Sequence, residues 1–259
     1  MKPELNTENG SEIPIYQSFV LSVFSDYKLL LIGVPTSAAA VILSAYATNS
    51  FVLYALAGVV LVLGALRYIT TAQFHKYHAK QTFTLADYER WEQRYTIGAV
   101  LYALAFGIWC FITAVLQNPL AEFTAFVVTF ANLIGVCGRC FPISRLVNGQ
   151  LFAVGLPLIA GLLIQGGEYI LLAVMLAPYM IGLQTIAARQ RDNLLNNVVN
   201  RRKAEKLASQ FNNTLENVPQ GICMFNAQGM LEVANKHIGT FLGRSLKSLK
   251  NILLEIGRA

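Results

Sequence analysis

Five long stretches of the chain contain no Asp, Glu, Lys or Arg: residues 29–66, 95–121, 123–138, 146–167 and 169–188. A helix needs about 20 apolar residues to cross the roughly 30 Å hydrocarbon core of a bilayer. The first stretch has 38 residues, enough for two crossings joined at the polar segment 47–50. The pattern therefore predicts six transmembrane helices. Their approximate bounds are 28–48, 51–71, 96–117, 120–139, 148–165 and 168–187.

The composition agrees with a membrane protein. Of the 259 residues, 55% are hydrophobic and 13% are charged, whereas about a quarter of the residues of an average soluble protein are charged. A soluble globular enzyme is therefore disfavoured, and the predicted fold class is an all-α polytopic membrane protein. The chain has four cysteines, none of them predicted to face an oxidising compartment, so no disulfide is expected.

The positions of the basic residues predict the orientation. Lys and Arg are retained on the cytoplasmic side during insertion. All 20 of them fall before the first helix, in the second or fourth connection, or after the sixth helix. The other connections, around 48–50, 117–122 and 165–168, contain two Glu and no Lys or Arg. Both termini are therefore predicted to be cytoplasmic. The net charge of +6 is assigned to this topology and to contact with anionic membrane lipids, and no nucleic-acid partner is expected.

The connections differ in predicted size. Residues 1–27 lack the pattern of a signal peptide and are predicted to form a polar cytoplasmic tail. The three outer connections are predicted to be only a few residues long, whereas 68–95 is predicted to be a substantial cytoplasmic loop. In the second half of this loop Tyr88, Trp91 and Tyr95 recur at helical spacing. Thr84, a favourable N-cap residue, precedes them. This half predicts an interfacial amphipathic helix anchored by aromatic side chains.

After the sixth helix the chain becomes polar, from 189 to 218, and it contains no Gly or Pro there. Apolar or small side chains follow a 4-3-4-3 spacing, which is typical of a heptad seam. They are Ala204, Ala208, Phe211, Leu215 and Val218. Two interpretations stay open: a signalling helix over 188–218 that forms a homodimer through 194–218, or a solvated helix that extends from the membrane.

Pro219 ends that helix, and the pattern changes to that of short strands. Segments 221–225 and 230–234 flank a turn that ends at Gly229, which predicts a β-hairpin. Asn235 is a favourable N-cap for a following helix, which is predicted to carry Ile238, Phe241 and Leu242 on one face and to end near Gly243. Some 40 residues cannot bury a sufficient core. Segment 219–259 is therefore predicted to be the beginning of an α+β domain whose remainder is absent.

The residues of this last segment resemble the opening of a PAS sensor domain, of the subclass whose first strand reads MPQGLCMFD. The matching positions are 217–226, Gly229, 233–235 and 242–243. In the membrane part, 90–95 with Gly98 and Trp109, and 147–150, resemble the six-helix N-terminal region of proteobacterial cyclic di-GMP signalling proteins. Such proteins continue from the membrane domain through PAS into GGDEF cyclase and EAL phosphodiesterase domains.

The resemblance implies a membrane sensor and anchor in the bacterial inner membrane, belonging to a protein that regulates cyclic di-GMP synthesis or breakdown. Its implied domains are a tail (1–27), a transmembrane domain (28–187), a signalling helix (188–218) and a PAS fragment (219–259). The chain has no GGDEF or EAL motif, so no enzyme activity of its own is expected. It is either a truncated gene product or an excised segment. The alternatives are a small-solute transporter, another integral membrane protein or a membrane-embedded enzyme.

No catalytic or metal-binding residue is assigned. Cys137 and Cys140 have the spacing of a redox or metal pair, but a zinc site would need two further ligands. They are interpreted as small residues at a helix end. His75 and His78 could share one helical face, but no Cys or acidic residue lies close enough to complete a metal site. A solvated loop is the preferred interpretation there, and a metal or pH sensor is the alternative.

No cofactor is assigned either. Cys223 and Asn235 stand where PAS domains approach a ligand, but flavin or haem binding in that family needs strands and helices that this chain does not include.

Within the predicted membrane helices no Asp, Glu, Lys or Arg faces the interior, as an ion-coupled transporter would require. The polar or kink-forming residues there are Asn132, Asn148, Gln150, Tyr179, Gln184, Pro35, Pro157 and Pro178. Hydrogen bonds between helices are their preferred role, and a pocket for a small neutral or apolar ligand is the alternative. Gly155, Gly161 and Gly182 predict close helix packing.

Overall fold

A computed structural model describes residues 13–25, 27–81, 83–227 and 231–241. Over these residues the elements in chain order are α1 (Ile13–Phe24), α2 (Tyr27–Thr48), α3 (Phe51–His78), α4 (Leu85–Leu116), α5 (Pro119–Cys140), α6 (Ser144–Gln165), α7 (Tyr169–Asn217), β1 (Cys223–Phe225), β2 (Leu231–Ala234) and α8 (Lys236–Phe241).

Among the described residues, six helices, α2 to α7, are long and apolar enough to cross a membrane. The predicted number of crossings is therefore confirmed, and the protein is a mainly helical, multi-pass membrane protein. Residues 49–50, 117–118 and 166–168 join these helices in pairs, so the three connections predicted to be short are short. We call the end of the bundle that carries them the short-connection end.

Two of the short connections are held together by Asn118. Its Oδ1 atom accepts from the backbone N–H of Ala121 at 3.1 Å, which makes it the N-cap of α5. Its Nδ2 group donates to the carbonyl oxygen of Ala47 at 3.1 Å. The start of α5 is thereby fastened to the end of α2.

The prediction of a polar tail over 1–27 is wrong for the part of it that the structure describes. Residues Ile13–Phe24 form helix α1. Val20, Val23 and Phe24 are buried, and their spacing of three and four residues places them on one helical face. Residues 13–24 are largely apolar, which is the sequence signal that the prediction of a polar tail missed.

The predicted loop over 68–95 is also wrong, because helix extends into it from both sides. Helix α3 continues to His78 and α4 begins at Leu85. Thr84 is the predicted N-cap: its backbone N–H and hydroxyl both donate to Asp87 Oδ2, at 3.0 and 2.6 Å. The predicted interfacial helix is the first part of α4. Its aromatic stripe is buried in the protein because it packs against α1 and α3.

Helix α4 packs most closely against α6, where glycines let the two backbones meet. A Cβ atom on Gly107 would lie 2.7 Å from the carbonyl oxygen of Ala153, and one on Gly161 would lie 3.1 Å from Cα of Phe111. The predicted close packing is confirmed for Gly161. It is wrong for Gly182, beside which the structure leaves open space, and an added Cβ on Gly155 would make only ordinary contact, 4.0 Å from a methionine sulfur.

The chain divides into two compact units, Met1–Leu195 and Asn196–Ala259. The predicted sixth membrane helix and the predicted helix after it are one helix, α7, of 49 residues. In the second unit β1 and β2 pair antiparallel, with Met224 opposite Val233, so the predicted hairpin is present. The predicted turn at Gly229 and the predicted helix end near Gly243 lie outside the described residues.

The contact between α4 and α6 predicts that Gly107→Ala destabilises the bundle. The added methyl group has to displace backbone rather than a flexible side chain, at a cost of about 1–3 kcal/mol. Gly182→Ala is the matched control, which should be neutral or stabilising by about 0.5–1 kcal/mol. Thermal unfolding of the two variants in detergent measures the difference. Equal unfolding temperatures would contradict the close approach.

Candidate functional site

Arg67 is the most unusual residue of the membrane unit, because it is a buried cation in helix α3. Its side chain is 5% exposed. Nη2 donates to the Tyr95 hydroxyl at 3.2 Å, and Nε has no hydrogen-bond partner. The guanidinium carbon lies 5.4 Å from the centre of the Tyr95 ring and 5.1 Å from that of Tyr102. Among the described residues no carboxylate forms an ion pair with it, so its partners are the two aromatic rings and the Tyr95 hydroxyl.

This placement corrects the expectation that no ionisable side chain faces the bundle interior. Arg67 was expected to mark a cytoplasmic connection. It lies instead on the buried stripe of α3, which consists of Leu53, Leu56, Ala57, Val60, Gly64, Arg67, Thr71 and Phe74. The charge of Arg67 suggested a connection between helices. The helical spacing of its apolar neighbours instead indicates a buried helix face.

An aromatic cluster lies next to Arg67 and joins α1, α3 and α4. We define it as Phe24, Phe74, Trp91 and Tyr95. The Phe24 and Phe74 rings stack with centroids 3.9 Å apart, and the centroids of Phe74 and Trp91 are 5.7 Å apart. The cluster fastens α1 to the membrane helices, because Phe24 also meets the edge of Tyr95 at 5.0 Å.

A polar contact reinforces the position of α1. The hydroxyl of Tyr16 donates to the Glu92 carboxylate. Partial burial, together with this carboxylate, raises the pKa of Tyr16 above its ordinary value. The hydroxyl therefore stays protonated and keeps its donor role at all physiological pH values.

Both histidines lie on helix α3, so the prediction of a loop is wrong, although His75 is exposed to solvent. Nε2 of His75 is 2.9 Å from the carbonyl oxygen of Phe24. Nε2 of His78 is 3.0 Å from the Tyr88 hydroxyl, and its ring stacks on Phe74. The two imidazoles thus belong to the contact between α1, α3 and α4. Across the described part of the chain, no three His, Cys, Asp or Glu side chains are grouped to hold a metal ion.

The cysteines of the membrane unit lie in its core. Cys137 and Cys140 are buried at the end of α5, and the Cys137 thiol approaches the carbonyl oxygen of Leu183 at 3.6 Å. The Cys110 sulfur lies 3.2 Å from the Thr129 hydroxyl oxygen. These contacts are hydrogen bonds between neighbouring helices. They give the thiols a packing role.

The polar residues singled out from the sequence take different places. Nε2 of the buried Gln150 donates to the carbonyl oxygen of Ala99 at 3.3 Å, so it joins α6 to α4, while its Oε1 has no partner. Asn148 and Gln184 line a small cavity between α6 and α7, together with Ser144 and Arg191. Asn132 is half-buried on α5. The expected role in hydrogen bonding between helices is therefore confirmed for Gln150.

A second buried ionisable residue, Glu122, lies at the short-connection end. It is 8% exposed and accepts from Nε2 of Gln165, which also donates to the carbonyl oxygen of Ala114 at 2.7 Å. Oε1 of Gln165 is buried and has no hydrogen-bond partner. The sequence placed Glu122 in a connection, so its burial was not expected.

An apolar cavity of about 390 Å³ lies between α5, α6 and α7. Phe126 and Phe130 line it from α5, and Leu158 and Leu162 line it from α6. Both leucines are fully buried. Its size falls within the range of about 300–1,000 Å³ that is usual for small-molecule pockets.

Helix α7 forms the remaining wall of this cavity with Leu172, Met175, Leu176 and Tyr179. The Tyr179 ring meets the Phe130 ring edge to face, with centroids 5.1 Å apart. The Tyr179 hydroxyl makes no hydrogen bond to any residue in the described ranges. This is the arrangement that the alternative interpretation of an apolar ligand pocket required.

In the second unit Asn235 holds three segments together. Its Oδ1 accepts from the backbone N–H of Ile222 at 2.9 Å and of Ile238 at 3.2 Å, which confirms it as the N-cap of α8. Its Nδ2 group donates to the carbonyl oxygens of Leu215 and Gln220 at 2.9 and 2.8 Å. Asn235 is fully buried and its hydrogen-bonding groups are used structurally, whereas Cys223 is exposed.

No protein family, no curated protein and no solved structure matches this chain when it is compared with each of them. Function therefore has to be argued from the residues and the geometry described above.

The geometry around Arg67 predicts an energetic coupling between Arg67 and Tyr95. Tyr95→Phe leaves the buried guanidinium without its hydrogen bond, which should destabilise the protein by about 1–3 kcal/mol. In an Arg67→Met background the same change should cost little. A double-mutant cycle by thermal unfolding in detergent measures the coupling.

Tyr46→Phe, at a tyrosine that is 73% exposed, is the control for the loss of a hydroxyl. Equal costs of Tyr95→Phe in both backgrounds would show that the hydroxyl does not stabilise the cation.

Proposed function

We propose that this chain is the membrane-embedded sensory and anchoring module of a bacterial signal-transduction protein, and that the complete protein regulates cyclic di-GMP synthesis or breakdown. The module lies in the inner membrane with both termini in the cytoplasm, and residues 219–259 open a PAS domain. The continuous helix α7 is the observation that carries the proposal. The resemblance of segment 217–226 to PAS domains supports the signalling assignment.

Helix α7 has the properties of a transmitting element. A helix of 49 residues is about 73 Å long, which is more than twice the hydrocarbon thickness. Beyond its apolar stretch, α7 leaves Phe211 of the predicted seam 51% exposed and Leu207, which lies next to the seam, 65% exposed. These side chains support pairing with a second copy through 194–218. A stimulus would act by biasing two arrangements of α7 within the membrane unit.

The two buried ionisable residues are the feature that a small-solute transporter would need, and their separation disfavours that alternative. Helices α3 and α5 both begin at the short-connection end. Arg67 lies about 24 Å along α3 and Glu122 about 5 Å along α5. No other charged side chain in the described membrane helices lies between these depths. A proton or ion would therefore find no relay through the middle of the bilayer.

The proposed orientation predicts a difference in thiol accessibility. In a Cys223→Ser background, Glu168→Cys at the α6–α7 connection should react with a membrane-impermeant maleimide in spheroplasts. Lys80→Cys at the α3–α4 connection should react only after lysis. Both residues are exposed, so a difference in reactivity between the two thiols cannot come from burial within the protein. The reverse pattern would overturn the cytoplasmic placement of the termini.

Transmission through α7 predicts that output depends on helical phase. Two residues inserted after Asn200 in the complete protein rotate the downstream chain by about 200°, whereas seven residues rotate it by only about 20°. The two-residue insertion should change cellular cyclic di-GMP, and the seven-residue insertion should preserve the native level.

Mass spectrometry of cell extracts measures the nucleotide, with a deletion of the gene as the reference. Equal effects of the two insertions would contradict transmission by rotation. An unchanged nucleotide level in the deletion strain would overturn the cyclic di-GMP assignment.

A further inference from the structure

The apolar cavity lies in one half of the bilayer. Its α7 residues, Leu172 to Tyr179, are three to ten residues beyond the start of that helix, about 5–15 Å from the short-connection end. About 15 Å is half of the hydrocarbon core. In a bilayer that these helices span, the cavity would therefore lie among lipid chains, and an occupant has to be apolar over the length of the cavity.

The side chains that line the cavity offer an occupant no hydrogen-bonding group except the hydroxyl of Tyr179, at the end farther from the short-connection end. Seven of the eight lining side chains are Phe, Leu or Met, and the eighth is Tyr179. Tyr179 lies deepest on α7, where its ring closes the cavity against Phe130. An alkyl chain fits such walls, since it needs no hydrogen bonds along its length.

Polar groups stand about one turn beyond the cavity, toward the short-connection end. Glu122 precedes Phe126 by four residues on α5, and Gln165 follows Leu162 by three residues on α6, so each lies on the same side of its helix as a lining residue. The carboxylate of Glu122 and the unpartnered Oε1 of Gln165 are both acceptors. The connections 117–122 and 165–168 contain no Lys or Arg.

These acceptors determine the headgroup. A hydroxyl or ammonium group donates to them, whereas a carboxylate or phosphate would meet Glu122 and Glu168 without any cation to balance its charge. The charge distribution at this end therefore selects a donor headgroup that is neutral or positive.

The helix that forms half of the cavity lining is also the one packed least tightly. In α7, 22% of the most apolar stretch is buried, compared with 56% in α4. Beside Gly182 the structure leaves open space. An occupant that fills the cavity therefore displaces α7 at a lower cost than any rearrangement of α4 against α6.

We propose that this cavity binds the alkyl chain of an amphiphile whose head is an alcohol or an amine, and that its occupancy shifts α7. The binding claim stands independently, and the claim that binding is a stimulus rests on the proposed sensory function. An alkyl chain within the cavity presses on Leu172 and Leu176, and its head donates to Gln165 and Glu122.

Photolabelling of the full chain in phosphatidylcholine nanodiscs tests the site. The probe is tetradecanol with a diazirine in its chain, and labelled residues are mapped by mass spectrometry. We expect saturable labelling at Met175, Leu176 or Tyr179. Unlabelled tetradecanol or tetradecylamine should compete, and tetradecanoic acid at pH 8 should compete about tenfold more weakly.

Cavity-filling variants provide the structural control. Leu176→Trp should abolish the saturable labelling, and Met175→Phe, at the more exposed wall, should weaken it if the tryptophan variant does not fold. Val174→Trp adds the same bulk on the lipid-facing side of α7, where Val174 is 65% exposed, and should leave labelling unchanged.

Labelling that does not saturate, or that both filling variants retain, would overturn the site, because bulk lipid would explain it. Equal competition by tetradecanoic acid would overturn the headgroup assignment. The binding readout does not involve cyclic di-GMP. A saturable site combined with a nucleotide level insensitive to gene deletion would therefore refute the proposed function and leave the site standing.

Discussion

Within a bilayer core every backbone N–H and C=O group needs a partner inside the protein, and this requirement dictates the architecture. Helices α2 to α7 meet it along their own length, which leaves only van der Waals packing and a few polar contacts to hold them together. The approach of Gly107 to the carbonyl oxygen of Ala153 is the tightest such packing between α4 and α6. Small residues thus allow close packing of α4 against α6, whereas the apolar part of α7 is the least buried of the six membrane helices.

The low dielectric of the bilayer core also accounts for the positions and partners of the two buried ionisable residues. Arg67 lies toward one end of the bundle and receives two tyrosine rings and one hydroxyl, and Glu122 lies at the other end and receives the Gln165 amide. An unpaired ion at the midplane would cost several kcal/mol. Placing both near the ends, with polarisable or amide partners, reduces that penalty and leaves the middle of the membrane free of charge.

The sequence predicts the fold best where a long charge-free run coincides with a membrane helix. The charge-free runs, their lengths and the polar segment 47–50 together predict the short connections and give the bounds of α2 and α5 to within one residue. The same pattern fails for α3 and α4, where charged residues continue the helices beyond the apolar stretches, and for α1, which buries Val20, Val23 and Phe24. The sequence left an apolar pocket open as an alternative but could not locate it, because the cavity depends on the spacing of α5, α6 and α7.

The proposed transmission requires that α7, Tyr169–Asn217, stays one continuous helix beyond its membrane part. Spin labels at Arg189→Cys and Leu207→Cys, in a Cys223→Ser background, measure this by pulsed electron resonance in lipid nanodiscs, with labelled chains diluted by unlabelled ones. The two positions are 18 residues apart, or five helical turns, so an unbroken helix predicts one narrow distance near about 27 Å between the backbones. A broad distribution, or one centred well below that value, would show a hinge after the membrane and contradict transmission through this helix.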